Sequence, residues 1–132
     1  MPNSKKIRLS SAGEDYLQAI YLLAGTGSVR SVDVATRMDV SKASVNNAVK
    51  TLVDAGLVTK QHYGEIELTP VGREHAEAIL DRHRVLYHFL IDQLGVDPYI
   101  AAKETDAMEH AISEHTLELW RAYLIKNMYK QK

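Results

Sequence analysis

Two helix patterns joined by a tight turn constrain the fold of this chain more than any other feature of its sequence. The first pattern covers residues 32–38 with Ser31 as its N-cap, and the second covers residues 42–55 with Ser41 as its N-cap. Only residues 39–41 separate them, with Asp39 and Val40 in the tight turn before Ser41. The side chains expected to face inward are Val32, Ala35 and Met38 in the first helix and Val45, Ala48, Val49, Leu52 and Val53 in the second. Helices joined this closely pack against each other, and the pattern predicts a helix-turn-helix.

A β-hairpin is predicted immediately after the second helix. Two short apolar strands flank a turn that contains Tyr63-Gly64. The apolar strand residues are Leu57, Val58, Ile66 and Leu68. A helix-turn-helix followed by a hairpin is the order of elements in a winged helix, in which the hairpin forms the wing. The sequence therefore predicts a mainly α fold with a small β-hairpin, and a winged helix-turn-helix DNA-binding domain over residues 1–70.

The outer face of the second helix carries side chains that suit DNA. Asparagine can bond the edge of adenine, and lysine can reach phosphate or guanine. A polar helix face is often only solvated, and the hairpin that follows favours a DNA interface here. The candidate contacts are Lys42, Ser44, Asn46, Asn47 and Lys50 on the helix, with Lys60, Gln61 and His62 on the wing.

Four further helix patterns surround the predicted winged helix. One covers residues 10–24, with Ser10 or Ser11 as its cap and Tyr16, Leu17, Ile20, Leu23 and Ala24 as its apolar face. The others cover residues 70–94 after Thr69, residues 98–112 after Asp97, and a last segment from Ser113 with Leu117, Trp120, Leu124 and Ile125 as its stripe. Residues 127–132 are expected to be a frayed tail.

The last two helices are too short to form a core of their own. We therefore expect a homodimerisation surface there. Its apolar anchors would be Tyr99, Ile100, Leu117, Trp120 and Tyr123.

Three potential metal ligands lie inside the 98–112 helix, within a span of five residues. Asp106, Glu109 and His110 have i, i+3 and i+4 spacing, which places two carboxylates and an imidazole on one face. On spacing alone, this face is equally compatible with a solvated acidic surface and with a metal site. If this face is a metal site, residues 71–132 form a helical metal-binding and dimerisation domain, and this is the organisation that we predict.

Other candidate ligands lie elsewhere in the chain. Asp15 and Gln18 repeat the i, i+3 spacing near the N-terminus, and His83 lies in the 70–94 helix. The chain contains no cysteine, which excludes thiolate zinc sites, iron–sulfur clusters and disulfides. Carboxylate and imidazole ligands favour Mn²⁺, Fe²⁺ or a similar ion.

Charge and hydropathy narrow the class of protein further. Residues 1–60 carry eight Lys or Arg against five Asp or Glu, whereas residues 61–132 carry eight against twelve. A basic first half and an acidic second half suit a DNA-facing region joined to a metal-binding one. No apolar run approaches the roughly 18 residues that span a bilayer, and residues 1–6 lack the apolar core of a secretory signal. We expect a cytoplasmic protein with no membrane partner.

These motifs, in this order, resemble the diphtheria toxin repressor family of metal-dependent transcriptional regulators, and within it the short manganese-responsive members. The resemblance covers about residues 9–125. Its most specific part is Asp106-x-x-Glu109-His110 with Ser113 following, supported by GEDYLQAIYLL (13–23), GLVTKQHYGEIELTPVGREHA (56–76) and DRHRVL (81–86). It implies a homodimeric regulator, expected to be a repressor of metal-homeostasis genes, that binds a palindromic operator in double-stranded DNA when Mn²⁺ or Fe²⁺ is bound.

The resemblance also implies roles for individual residues. The implied metal ligands are Asp15, His83, Asp106, Glu109 and His110. Gln18 replaces a carboxylate of the manganese members, and it is a weaker candidate ligand; Tyr87 and Ala102 replace ligands of the ancillary site in iron members. A primary metal site is thus expected, and a full binuclear site is in question.

The family aligns Ser41, Ala43 and Asn47 with its base-contacting positions. Ala43 and Asn47 differ from the residues of the toxin repressor, so the operator sequence does not follow from the resemblance. Lys42, Ser44 and Lys50 are expected to contact phosphate.

Two other classes of protein remain as alternatives. One is a metal-independent winged-helix regulator that senses a small ligand. The other is a metalloenzyme, which is disfavoured because the chain has neither a His-Glu-x-x-His motif nor a glycine-rich phosphate loop.

Overall fold

The computed structural model describes residues 9–130, and side chains up to residue 127. Residues 1–6, considered above as a possible signal, and residues 131–132 of the expected tail lie outside the described residues. The chain divides into two compact units, one ending at Ala78 and the other beginning at Ile79.

The fold is mainly helical with one small antiparallel sheet. Its elements in chain order are α1 (Ser11–Ala24), β1 (Ser28–Arg30), α2 (Ser31–Met38), α3 (Lys42–Asp54), β2 (Val58–Lys60), β3 (Glu65–Leu68), α4 (Pro70–His88), a π-helical turn (Phe89–Gln93), α5 (Pro98–Glu109) and α6 (Glu114–Lys130). The predicted fold class is confirmed. The boundary between the units lies within α4, eight residues after the boundary that the sequence predicts at residues 70 and 71.

The helix-turn-helix forms where it was predicted, although its first helix begins differently. Ser31 is the first residue of α2, and Arg30 occupies the N-cap without a side-chain cap. The buried residues of α2 are Ser31, Val34 and Ala35, whose i, i+3 and i+4 spacing defines the inner face. Val32 lies off this face and is 46% exposed, so the prediction that Val32 faces inward is wrong. Asp39 ends α2 with a left-handed backbone (φ 55°).

The second helix of the motif follows its sequence signals. The side chain of Ser41 accepts a hydrogen bond from the Ser44 amide (3.0 Å), which satisfies one of the free donors of the first turn. Val45, Val49 and Leu52 are buried on the inner face. Val53 is 39% exposed, contrary to prediction, as is Leu23 of α1 at 37%.

The sheet has one strand more than the predicted hairpin. Its order is β1-β3-β2, with β3 antiparallel to both neighbours. Ile66 of β3 is paired with Val29 on one side and with Lys60 on the other. β1 has three residues and one buried side chain, which is too short a stretch to show an alternating pattern.

The start of α4 is held close to the backbone that precedes the wing. The hydroxyl of Thr69 donates to the Gly56 carbonyl (2.7 Å) and accepts from the Gly72 amide (2.9 Å). A Cβ added at Gly72 would lie 1.7 Å from the Leu57 carbonyl oxygen. Only glycine fits at this close approach.

The C-terminal unit consists of the end of α4, the π-helical turn, α5 and α6. Asp97 caps α5 by accepting from the Tyr99 amide (3.0 Å), and Ser113 accepts from the Thr116 amide (3.1 Å) at the start of α6. Phe89 packs edge-on against Trp120, with ring centroids 4.9 Å apart.

Several predicted boundaries and faces in this unit require correction. α4 ends at His88, where the backbone changes to a π-helical turn, and α5 ends at Glu109 rather than at residue 112. α6 continues to Lys130, so the tail expected from residue 127 is helical over the described part. Ile125 of α6 is 52% exposed. Among the described helices, none combines the length and apolar character that crossing a bilayer requires.

The close approach at Gly72 can be tested by substitution. We expect Gly72→Ala to lower the free energy of unfolding by roughly 2–3 kcal/mol, because the new methyl group must displace backbone atoms. Gly27→Ala is the matched control, since a Cβ there has its nearest neighbour at 3.7 Å. The free energies of unfolding of both variants are measured in urea. Equal values for the two variants would contradict the expected effect of the close approach at Gly72.

Candidate metal centre

Three predicted ligands of the C-terminal unit lie together in the structure. Nδ1 of His83, on α4, is 3.1 Å from Oε2 of Glu109 and 3.6 Å from Oδ1 of Asp106, both on α5. One ligand atom from each of the three residues lies within 4.8 Å of the others. The i, i+3 spacing brings the two carboxylates to one face of α5, and packing of α4 adds the imidazole.

The two carboxylates differ sharply in their exposure to solvent. The side chain of Asp106 is 72% exposed, whereas that of Glu109 is 2% exposed. A buried carboxylate is costly unless positive charge or hydrogen bonds replace its hydration. Glu109 has a histidine beside each oxygen, His83 at Oε2 and His110 at Oε1, where Nε2 lies 3.7 Å away.

The raised pKa of His83 reflects this environment. The hydrogen bond that Nδ1 of His83 donates to the Glu109 carboxylate raises the pKa of His83 above its usual 6.5. Burial lowers this pKa, and the charges of Glu109 and Asp106 raise it further. Tyr87 stacks on the imidazole, with centroids 6.0 Å apart and planes 15° apart. The cluster thus attracts a cation, which is a proton in the absence of any other.

His110 stands at the end of α5. It is the C-cap, with helical backbone angles (φ −84°, ψ −13°), so it keeps its i+4 relation to Asp106. Its side chain is 16% exposed.

The donor set fits a divalent ion of hard to intermediate character. Two carboxylates and an imidazole suit Mn²⁺ or Fe²⁺, and there is no thiolate in the chain to favour softer ions. Metal binding to a carboxylate and imidazoles releases any protons that these groups carry, because only their deprotonated atoms can act as ligands.

The remaining predicted ligands, Asp15 and Gln18, lie on α1 in the N-terminal unit. Asp15 is exposed and Gln18 is half-buried. Their inclusion in the ligand set stays a prediction.

The predicted DNA contacts lie on the exposed surface of the N-terminal unit. Ser41, Lys42, Ala43, Ser44, Asn46, Asn47 and Lys50 are exposed on α3 or at its cap, Lys60 is exposed on β2, and His62 is exposed in the turn of the wing. Nζ of Lys60 lies 3.4 Å from Oδ1 of Asn46. Sequence reasoning missed this bond between wing and helix because it joins residues of two different elements.

The state of His83 gives a direct test of the cluster in the metal-free protein. We expect NMR titration to give His83 a pKa above 6.5, and Glu109→Gln to lower it by removing the charged hydrogen-bond partner. Because the folded state binds this proton more tightly than the unfolded state, the contact stabilises the fold below about pH 6.5 and ceases to do so as pH rises through the folded-state pKa.

Glu104→Gln is the control for this titration, since it removes an exposed carboxylate of the same helix. If Glu109→Gln left the His83 titration unchanged, the cluster would not be the cause of the shift.

Comparison with known proteins agrees with both halves of this description. Residues 8–66 match the family model for the iron dependent repressor, N-terminal DNA binding domain. Residues 69–127 match the model for the iron dependent repressor, metal binding and dimerisation domain.

Alignments with individual relatives cover most of this chain. The HTH-type transcriptional regulator MJ0568 of Methanocaldococcus jannaschii is 33% identical over 120 residues, which cover 89% of this chain and 96% of the relative. The transcriptional regulator MntR of Escherichia coli O6:H1 is 35% identical over 115 residues, which cover 86% of this chain and 74% of MntR.

A solved manganese-dependent transcriptional repressor in complex with manganese has a TM-score of 0.73 and 31% identity. The match covers 85% of this chain and 52% of that repressor, so the chain spans about half of its length. The chain therefore belongs to the iron-dependent repressor family, named above as the diphtheria toxin repressor family, of metal-dependent DNA-binding transcriptional regulators, alongside the manganese-responsive members.

Proposed function

We propose that this protein is a cytoplasmic, homodimeric repressor of metal-homeostasis genes that binds a palindromic operator when Mn²⁺ or Fe²⁺ is bound. In this proposal residues 1–70 read DNA and residues 71–132 bind metal and dimerise, and the protein is not an enzyme. The observation that carries it is the nearly solvent-free carboxylate of Glu109 beside His83, in a chain that also presents a winged helix.

The proposed ligands in the C-terminal unit are His83, Asp106, Glu109 and His110. The distances among the first three and the position of His110 beside Glu109 support this set. The resemblance adds Asp15 from α1, with Gln18 as a weaker neutral donor.

The proposed switch is electrostatic. Asp15, Asp106 and Glu109 carry like charges that repel when they are held together. A bound divalent cation would supply the positive charge that lets these carboxylates share one site. Ligands from both domains would then connect the DNA-reading domain to the dimerisation domain, so that the dimer would present its two α3 helices about 34–36 Å apart, one turn of DNA.

Coupling of this kind is reciprocal. If metal raises the affinity for operator, operator raises the affinity for metal by the same factor, typically about 5- to 150-fold. A metal ion that bound the DNA-competent and the DNA-incompetent states equally well would not change the balance between them.

Exposed apolar side chains of the C-terminal unit support the homodimer. Tyr99 and Ile100 of α5 are 69% and 49% exposed, and Leu119 and Tyr123 of α6 are 61% and 51% exposed. Apolar area of this kind in a small unit is typical of a protein interface.

The proposed ligand atoms are oxygen and nitrogen alone, and this donor set favours Mn²⁺ over Fe²⁺. The alternative is a metal-independent regulator that senses a small ligand. Calorimetry with Mn²⁺, anaerobic Fe²⁺, Co²⁺ and Zn²⁺ separates the two, since heat from none of these ions would favour the alternative.

Loss of a ligand should uncouple metal from DNA. We expect Glu109→Gln and His110→Ala to abolish metal-stimulated DNA binding while the variants remain folded, and Asp15→Asn to weaken it strongly. The measurement is fluorescence anisotropy with a duplex selected by the wild-type protein from a random library in Mn²⁺, at buffered free metal and fixed salt. Circular dichroism checks the fold.

His115→Ala is the matched control, because His115 is an exposed histidine of α6 outside the cluster. Glu109→Gln and His110→Ala variants that still respond to metal would refute the proposed switch.

Substitutions on α3 should separate base reading from phosphate contact. We expect Asn47→Ala to relax base preference at one operator position, at a cost of about 1–3 kcal/mol for the preferred base. Lys50→Ala should weaken binding to all sequences and reduce the slope of log affinity against log salt by about 0.9. The reverse pattern would show that the roles are misassigned.

A further inference from the structure

A cationic cavity lies between the wing and the helix-turn-helix. It has a volume of about 380 Å³, and its lining includes Arg30, Lys42 and Lys60, with Ser31, Asn46 and Tyr63. Of the described residues that line it, none is acidic. Three cations around one space without a carboxylate are suited to an anion.

The first turn of α2 adds hydrogen-bond donors at this cavity. Arg30 is the N-cap and makes no side-chain cap, so the first backbone N–H groups of α2 receive no acceptor from it. Ser31 and Val32, the first two residues of the helix, line the cavity. The N-terminus of a helix favours negative charge at this position.

A buried hydroxyl provides an independent indication of a ligand. Ser31 is 6% exposed, and its Oγ has no hydrogen-bond partner among the described residues. A buried hydroxyl without a partner is unusual in a folded protein. An acceptor in the cavity would supply the missing partner.

The cations of the cavity have only weak competing contacts. Arg30 pairs with Asp33 at 3.3 Å, but the two side chains are 68% and 48% exposed, where an ion pair contributes little. Lys60 bonds the neutral amide of Asn46 at 3.4 Å. Both side chains can therefore exchange these partners for a phosphate oxygen.

We propose that this cavity binds one phosphate of the DNA backbone, through Arg30, Lys60, Ser31 and the first turn of α2. This inference rests on the proposed function, and it adds Arg30 and Ser31 to the DNA interface. When Lys60 binds the phosphate, it releases Asn46, which becomes available to the DNA. The phosphate thus sets the position of the wing relative to α3.

The first experiment compares two arginines of the same region in the full chain with Mn²⁺. We expect Arg30→Ala to weaken binding to the selected duplex roughly tenfold, since a charge-assisted hydrogen bond is lost, and to reduce the salt slope by about 0.9. Arg37→Ala is the control, because Arg37 lies on α2 but does not line the cationic cavity. It lines a neighbouring cavity together with Arg30, Asp33 and Glu65. Equal losses for both variants would overturn the proposal.

Removal of the Ser31 hydroxyl distinguishes binding from structure. Ser31→Ala removes a buried group without a partner, so we expect an unchanged or higher melting temperature together with weaker DNA binding. A lower melting temperature with unchanged affinity would show a structural role and contradict the assignment.

A second experiment locates the phosphate on the DNA. Single methylphosphonates, which remove one backbone charge, are placed along the selected duplex. We expect one position at which the replacement weakens DNA binding by the wild-type protein roughly tenfold but has little effect on DNA binding by the Arg30→Ala variant. This result is expected when the arginine and the phosphate form one contact, because either change alone removes it. The absence of any such position would overturn the proposal.

Two further outcomes are distinguishable. Calorimetry with inorganic phosphate that shows binding abolished by Arg30→Ala, without an effect of this variant on DNA affinity, would assign the cavity to a free anion and contradict the proposal. If the wild-type protein selects no duplex with any of the metal ions, the proposed function fails, and this inference fails with it.

Discussion

The burial of the Glu109 carboxylate is the constraint on which the candidate metal centre depends. A carboxylate that has left water keeps its charge only where cations or hydrogen bonds replace the lost hydration. Here the replacement comes from His83 at 3.1 Å and from His110 on the other oxygen. Imidazoles that bind a proton beside a carboxylate also bind a divalent ion once that proton has left, so proton and metal compete for the same nitrogen. The buried carboxylate between two imidazoles is therefore the feature that makes this cluster a candidate site for a small cation.

The N-terminal unit meets a different requirement, which is to present a polar helix face with a fixed geometry. Val45, Val49 and Leu52 pack the inner face of α3 completely, and this burial leaves the opposite face exposed in a defined orientation. The bond from Lys60 to Asn46 then joins the wing to the exposed face of the helix. A reading surface of this kind is positioned by the core behind it, and the polar side chains contribute little to the stability of the fold. Folding thus depends on the inner face of α3, and the opposite face carries the predicted DNA contacts.

Local sequence signals predicted most of the secondary structure. The cap predicted at Ser41 forms, and α5 and α6 begin directly after Asp97 and Ser113, because a helix start depends only on residues within one turn. The prediction failed where local signals were outweighed by tertiary contacts. Ser31 resembles a cap but forms the first residue of α2, since β1 pairs with β3 up to Arg30 and the helix begins directly after the strand. The inner face of α2 is likewise set by packing, which buries Ser31, Val34 and Ala35 and leaves Val32 outside.

The sequence by itself determined the chemistry of the protein: carboxylate and imidazole donors without thiolate, the spacing of Asp106 and Glu109 on one helix face, and the polar outer face of α3. Helix geometry makes such relations certain once the helix forms, because residues three and four apart always share a face. Only the tertiary structure decided that His83 bonds Glu109, 26 residues away, and that Glu109 is buried while Asp106 is not. These outcomes depend on which face of α5 packs against α4. That choice is made by the summed burial of apolar side chains from separate elements, and no local pattern records it.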